Sequence, residues 1–382
     1  MGKDIPLGRI AGIKVDMDLT VLLVAAFYTH FLATNQFPIG APGLSSTAYW
    51  IAGVAGALLF FVSLLVHEMG HALVARDEGI GVRGISLWLL GGVAKLESAP
   101  TNARSEFRIA VIGPIASAAC GVVFLAASYT LPSGGLVGLA GVLFYILGYL
   151  NLVLAGFNLL PAAPLDGGTV LSAIIWHKTG SQAVGMRWAA RAGVVGGGAL
   201  VLLGLKVIQA GSTTTVNGYS LLLVGGFILF AAIRGIQSVP LYELLDGSTV
   251  RDAMAVSPPT ANAWGTVGDF LRTLPPGTTH QSYPVVAEQG TVVGLLTAAA
   301  IRAVPDHRWD SLRVADLAYP LSRITVVRSD EPLLPAVQRI DGGDVRDGLV
   351  IDNDGTIVGT IDAAALFRTL ELRKASLAAA GV

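Results

Sequence analysis

The chain has 382 residues, 53% of them hydrophobic and 13% charged, with a formal net charge of −1 and a mean hydropathy of +0.65. Soluble globular domains carry about 25% charged residues, so this composition excludes an ordinary soluble protein and gives an integral membrane protein. No basic block exceeds two residues, which excludes a nucleic-acid partner, and the single cysteine, Cys120, excludes an internal disulfide.

Charge is unevenly placed. Of 51 Asp, Glu, Lys and Arg residues, 22 fall in the first 240 positions and 29 in the last 142. That shift predicts a membrane domain over 1–240, a linker over 241–248 and a soluble tail.

In chain order, residues 5–18 alternate apolar and polar around two glycines, the pattern of a short strand pair at the interface. A first apolar span runs from Leu19 to Ala33, shorter than the ~17–25 residues of a crossing helix. The second, Trp50 to Ala75, contains VHEMGHAL, and from Val21 to Ala75 the only charged residue is Glu68. A carboxylate at membrane depth costs about 2.5–3.5 kcal/mol on insertion scales and so marks a functional site. On a helix His67 and His71 stand at i and i+4, where both imidazoles can share a tetrahedral Zn²⁺, and Glu68 is placed to act on its water as general base.

Residues 79–97 are rich in β-branched side chains around a glycine pair and predict extended structure, a hairpin turning near Gly91 and Gly92. The third span, Phe107 to Leu131, holds Gly113-Pro114, where a kink or a close helix contact is expected. The fourth, Leu136 to Phe157, runs into NLLPAAPLDGG, residues 158–168, which cannot continue a helix. Broken backbone among apolar spans is tolerated where it is buried in protein or lines a wet cavity. Asp166, within that break, is the second acid in an apolar neighbourhood. Fifth and sixth spans cover Ala189 to Leu205 and Tyr219 to Ile233.

Six spans with a cytoplasmic N-terminus leave only Lys206 among the basic residues of the outer loops, an asymmetry that puts both termini and the tail in the cytoplasm. Counting back from Arg76 places His71 roughly 7 Å and His67 roughly 13 Å in from the cytoplasmic end. Asp166 lies on that same side. Catalytic zinc takes three protein ligands, and Asp166 is the only acid between Glu106 and Glu243. Its alternative role is to cap the helix that follows.

HEMGH at 67–71, GGVAKL at 91–96, FRIAVIGPIAS at 107–117 and NLLPAAPLDGG at 158–168 together resemble the site-2 protease family of intramembrane zinc metalloproteases, over most of residues 5–235. The resemblance implies His67, His71 and Asp166 as ligands of one Zn²⁺, Glu68 as general base and Asn158 as a supporting residue. It also implies that Gly91 and Gly92 belong to an extended element beside the active site. The expected activity is cleavage of a membrane-spanning protein in regulated intramembrane proteolysis, in the cell membrane of a bacterium or archaeon.

The tail carries two similar units, 249–304 and 313–370, each with a Gly turn, a β-branched pair and a second glycine, GTVVG and GTIVG. They resemble a pair of cystathionine β-synthase (CBS) domains, an α/β fold that often binds adenine nucleotides. Ala300 and Ala365 stand where a ribose-binding aspartate is expected. Nucleotide binding and a structural role, as a homodimer through the pair, both stay open. The expected architecture is thus a polytopic α-helical membrane protein of six transmembrane helices, with a small β-element near the active site and a C-terminal CBS pair. A CBS-regulated transporter or channel is the rival function, and it would need polar residues on several spans.

Overall fold

The computed structural model describes residues 5–89, 91–210, 218–245, 248–275, 278, 280–287, 290–362, 364–365, 367–369 and 371. The chain divides into two compact units, Met1–Pro240 and Leu241–Val382.

The first unit opens on the expected strand pair, β1 (Ile5–Ile10) and β2 (Ile13–Met17). It continues with α1 (Thr20–Phe31), a π-helical turn over Leu32–Gln36 and the short α2 (Phe37–Gly40). Helix α3 (Ser46–Asp77) runs 32 residues, its start fixed by Ser45, whose hydroxyl accepts the Ala48 N–H. Next come β3 (Val82–Trp88) and β4 (Gly91–Leu96), the expected hairpin, whose turn residue Leu90 lies outside the described residues. Helices α4 (Ala103–Thr130), α5 (Gly135–Asn158), α6 (Asp166–Thr179), α7 (Gln182–Gln209) and α8 (Gly218–Leu245) complete the unit.

The two hairpins form one sheet in the order β1-β2-β3-β4. Its inner seam is parallel, Val15 opposite Ile85 and Met17 opposite Leu87. Val15 and Ile85 are fully buried, so the sheet closes on the apolar face of α3 around Leu64 and Ala72. Helix α4 packs against α3, α5 and α6 and is the centre of the unit.

Two boundaries differ from expectation. Among the described residues five helices are long and apolar enough to cross a membrane: α3, α4, α5, α7 and α8. The first expected span instead folds as the 12-residue α1 and is carried on to Gly40 by the π turn, where polar Thr34, Asn35 and Gln36 interrupt the apolar run. Helix α8 passes through the first five residues of the expected linker to Leu245, since Leu241 to Leu245 contains no glycine or proline. Of the remaining linker residues, Asp246 and Gly247 lie outside the described residues and Ser248 is buried.

The second unit repeats one α/β pattern. Its first half holds β5 (Ala255–Val256), β6 (Ala261–Asn262), α9 (Val267–Thr273), β7 (Ser282–Val286), β8 (Val292–Thr297) and α10 (Ala298–Arg302). Its second half holds α11 (Val314–Leu317), β9 (Tyr319–Pro320), β10 (Thr325–Arg328), α12 (Leu333–Asp341), β11 (Asp347–Ile351) and β12 (Ile357–Asp362). This is the duplicated layout expected of a CBS pair, with one difference from two self-contained halves. The sheets run β10-β11-β12-β5 and β6-β7-β8-β9, so each half lends its short first strand to the other. Two-residue strands carry no alternation of their own, and their pairing is set by contacts far along the chain.

Candidate metal centre

Because α3 is unbroken, the HEMGH residues lie on one helix turn, where His67 (3% exposed) and Glu68 (7%) are buried. Each imidazole is held from α4 by its Nδ1: that of His67 lies 2.9 Å from Ser117 Oγ, and that of His71 lies 2.6 Å from the Ile109 carbonyl oxygen. A carbonyl can only accept, so His71 carries its proton on Nδ1 and presents an Nε2 lone pair. The two Nε2 atoms are 3.2 Å apart.

The close helix contact expected at Gly113-Pro114 is found here. Helix α4 runs through Pro114 without a break, and a Cβ on Gly113 would stand 2.2 Å from His71 Nε2. Only glycine leaves room for the imidazoles at this crossing.

The Asn158–Gly168 interruption brings Asp166 back to the pair. Asp166 is the first residue of α6; Leu165 takes the capping position, and no side-chain cap bond is made. Asp166 Oδ2 instead points at the imidazoles, 3.2 Å from His67 Nε2 and 3.4 Å from His71 Nε2. Neither contact has the alignment of a hydrogen bond, and Oδ2 is a buried atom without a partner. The donor atoms of His67, His71 and Asp166 all lie within 4.8 Å of one another. Three donors this close together, one of them a buried carboxylate oxygen without a partner, could hold a cation, and two imidazoles with one carboxylate suit Zn²⁺.

The other expected residues divide. Gly92 packs on Glu68, with an added Cβ only 2.3 Å from its Cγ. Gly91, at the head of β4, has φ 144° and nothing within 4 Å of such a Cβ. Asn158 ends α5 half-buried and makes no hydrogen bond to the cluster among the described residues.

Sequence reasoning missed two residues. Ser117 looked like an ordinary small residue of a span; a hydroxyl on the α4 face that bears Gly113, one turn away, was the available signal. Glu106 was placed just outside the third span, yet α4 begins at Ala103 and Glu106 is only 6% exposed. Among its described residues the helical unit therefore buries a second acid besides Glu68, while Asp166 keeps 24% of its side chain exposed.

The profile of peptidase family M50 matches residues 55–137 and 137–195. Rip3 of Mycobacterium tuberculosis is 35% identical over 96% of this chain and 93% of its own. Zinc metalloprotease MJ0392 of Methanocaldococcus jannaschii is 30% identical over 78% of both chains. The solved site-2 protease of Methanocaldococcus jannaschii is 30% identical, covering 61% of this chain and 95% of that one, at a TM-score of 0.42. Identity of this extent along both chains makes the protein a member of peptidase family M50, the site-2 protease family of zinc metalloproteases.

Proposed function

We propose that the protein is an intramembrane endopeptidase that hydrolyses a peptide bond in or beside a transmembrane segment of another membrane protein, as a step of regulated proteolysis. The observation that carries this reading is the convergence of three metal-ligating side chains between apolar helices, one of them with a buried oxygen that has no partner, and with a fourth side chain, Glu68, buried beside them. In this reading His67, His71 and Asp166 hold one Zn²⁺. The ion supplies Lewis-acid polarisation of the scissile carbonyl and acidifies water. Glu68 accepts a proton from the attacking water as its oxygen bonds to the carbonyl carbon. It then passes that proton to the amide nitrogen as the C–N bond breaks.

A helix in lipid satisfies its own backbone, so the substrate must unwind before it can be cut. Strand β4 is at an edge of its sheet and carries Gly92 against Glu68. An unwound segment pairing along that edge would be delivered to the base. The charge asymmetry supports catalysis near the cytoplasmic face, with both termini and the tail in the cytoplasm. Membership of a protease family displaces the transporter reading.

For the second unit we propose a role in pairing two copies of the chain rather than in holding an adenine nucleotide. Ala365 is fully buried and offers no ribose acceptor, and Asp362 is already joined to Arg368 at 2.8 Å. Light scattering with and without ATP checks this: a dimer unchanged by ATP is expected, and a dimer formed only with ATP reverses the assignment.

The experiment for the catalytic reading compares purified wild type with Glu68→Gln. Both should contain one zinc by mass, and only wild type should cleave a synthetic transmembrane helix in liposomes. Equal cleavage by the two removes Glu68 as the base.

A further inference from the structure

Glu106 is buried in the first unit, and hydrolysis at the metal centre gives it nothing to do. Its Oε2 accepts a hydrogen bond from Gln182 Nε2, at 3.2 Å, where Gln182 is the first residue of α7. Ser172 of α6, buried and without a formed hydrogen bond, turns its hydroxyl toward the same carboxylate. Helices α6 and α7 meet there closely, since a Cβ on Gly185 would lie 2.4 Å from the Ser172 carbonyl oxygen. Helix α7 in turn grips the segment before Asp166: the Ala163 N–H donates to the Ala189 carbonyl at 3.1 Å.

The same α4 that carries Glu106 orients His71 through the Ile109 carbonyl and His67 through Ser117. One helix is therefore the common reference for all three metal-facing side chains. The histidines are fixed to it directly, the Asp166-bearing helix packs on it, and Glu106 adds a bond from it to α7, the partner of that helix. An acid in the first turn of a helix also favours the helix dipole, which is the plain structural role for such a residue. That role needs neither Gln182 nor Ser172, and it would not place the carboxylate against both α6 and α7.

We infer that Glu106 is a positioning residue: its bond to Gln182 holds the α6–α7 pair at the height on α4 where Asp166 meets His67 and His71. The inference rests on the proposed metal reading. Outer groups that orient ligands typically contribute about 10–100-fold to metal affinity.

The test measures Zn²⁺ affinity of the purified full-length protein by competition with a chromophoric chelator. The variants are Glu106→Ala, Glu106→Gln, Gln182→Ala and the double variant Glu106→Ala/Gln182→Ala, with His71→Ala as the ligand control. Glu106→Ala should weaken zinc by about 10-fold or more, while Glu106→Gln, whose amide oxygen still accepts from Gln182, should stay near wild type. Gln182→Ala should weaken zinc too, and the double variant should be no weaker than Glu106→Ala, because both act through one bond. Wild-type affinity in Glu106→Ala overturns the inference, and so do losses that multiply in the double variant. Should Glu106→Ala fail to fold, Gln182→Ala decides: unchanged affinity there overturns the inference. A wild type that binds no more zinc than His71→Ala would instead sink the metal reading, a distinct result.

Discussion

Gly113 and His71 approach so closely that a Cβ on the glycine would stand 2.2 Å from the histidine Nε2 and 2.6 Å from its Cε1. The ring cannot swing away, because its Nδ1 is held at 2.6 Å by the Ile109 carbonyl. In Gly113→Ala the added methyl should push both imidazoles out of register with Asp166. The expected result is zinc affinity at least about 10-fold weaker in a protein that still folds. Chelator competition together with a thermal melt checks it.

Gly92→Ala should separate binding from turnover. The new methyl would meet Glu68 Cγ at 2.3 Å and Oε1 at 2.9 Å, and its three nearest neighbours all belong to Glu68 rather than to the three donors. A shift of about 1 Å in a catalytic group can lower the rate ~10²-fold. Zinc content should stay at the wild-type level while kcat on a transmembrane substrate falls by about that factor.

Ser117→Ala removes the Nδ1 partner of His67, which lies at 2.9 Å, from a fully buried position. The freed ring loses its fixed tautomer and orientation, for an expected ~10–100-fold loss in metal affinity. Competition against the same chelator, across a range of zinc concentrations, reads it out.

The second unit should respond to pH through Asp347. Burial pushes its carboxyl up to about 6, and Asp362 opposite it on the ladder adds to the rise while the Ser282 hydroxyl opposes it. The sign follows from linkage: the folded form holds this proton more tightly than the unfolded chain, whose carboxyl titrates near 3.8. The contribution is fully present below that value and is lost as pH rises through about 6. Protection factors in β11 and β12 of the full-length protein, corrected for the intrinsic rise of amide exchange with pH, should be higher at pH 5 than at pH 7.5. Asp347→Asn, neutral throughout, should raise protection at pH 7.5 and remove most of the difference in protection between the two conditions.

How much of this was legible in the sequence depends on the range of the interaction. HEMGH declared itself because Glu68 is the only charge between Val21 and Ala75, and Asp166 because prolines and glycines break an otherwise apolar run. The hairpins were readable from alternation and glycine pairs. Glu106 was not, since arginines at 104 and 108 flank it and make it look like part of a solvated loop. Its burial comes from α6 and α7 folding over it. Ser117 needed the α3–α4 crossing before its hydroxyl meant anything. The parallel seam between β2 and β3 joins residues some seventy positions apart across α1, α2 and α3, which no local pattern announces.

The strands exchanged between the halves of the second unit have a practical consequence for anyone shortening this chain. A stop codon between the repeats would leave β8 without β9 and β5 without β12, giving raw sheet borders open to intermolecular pairing. The second unit is therefore indivisible: it should be kept or deleted as a whole, because half of it is an aggregation seed rather than a smaller domain.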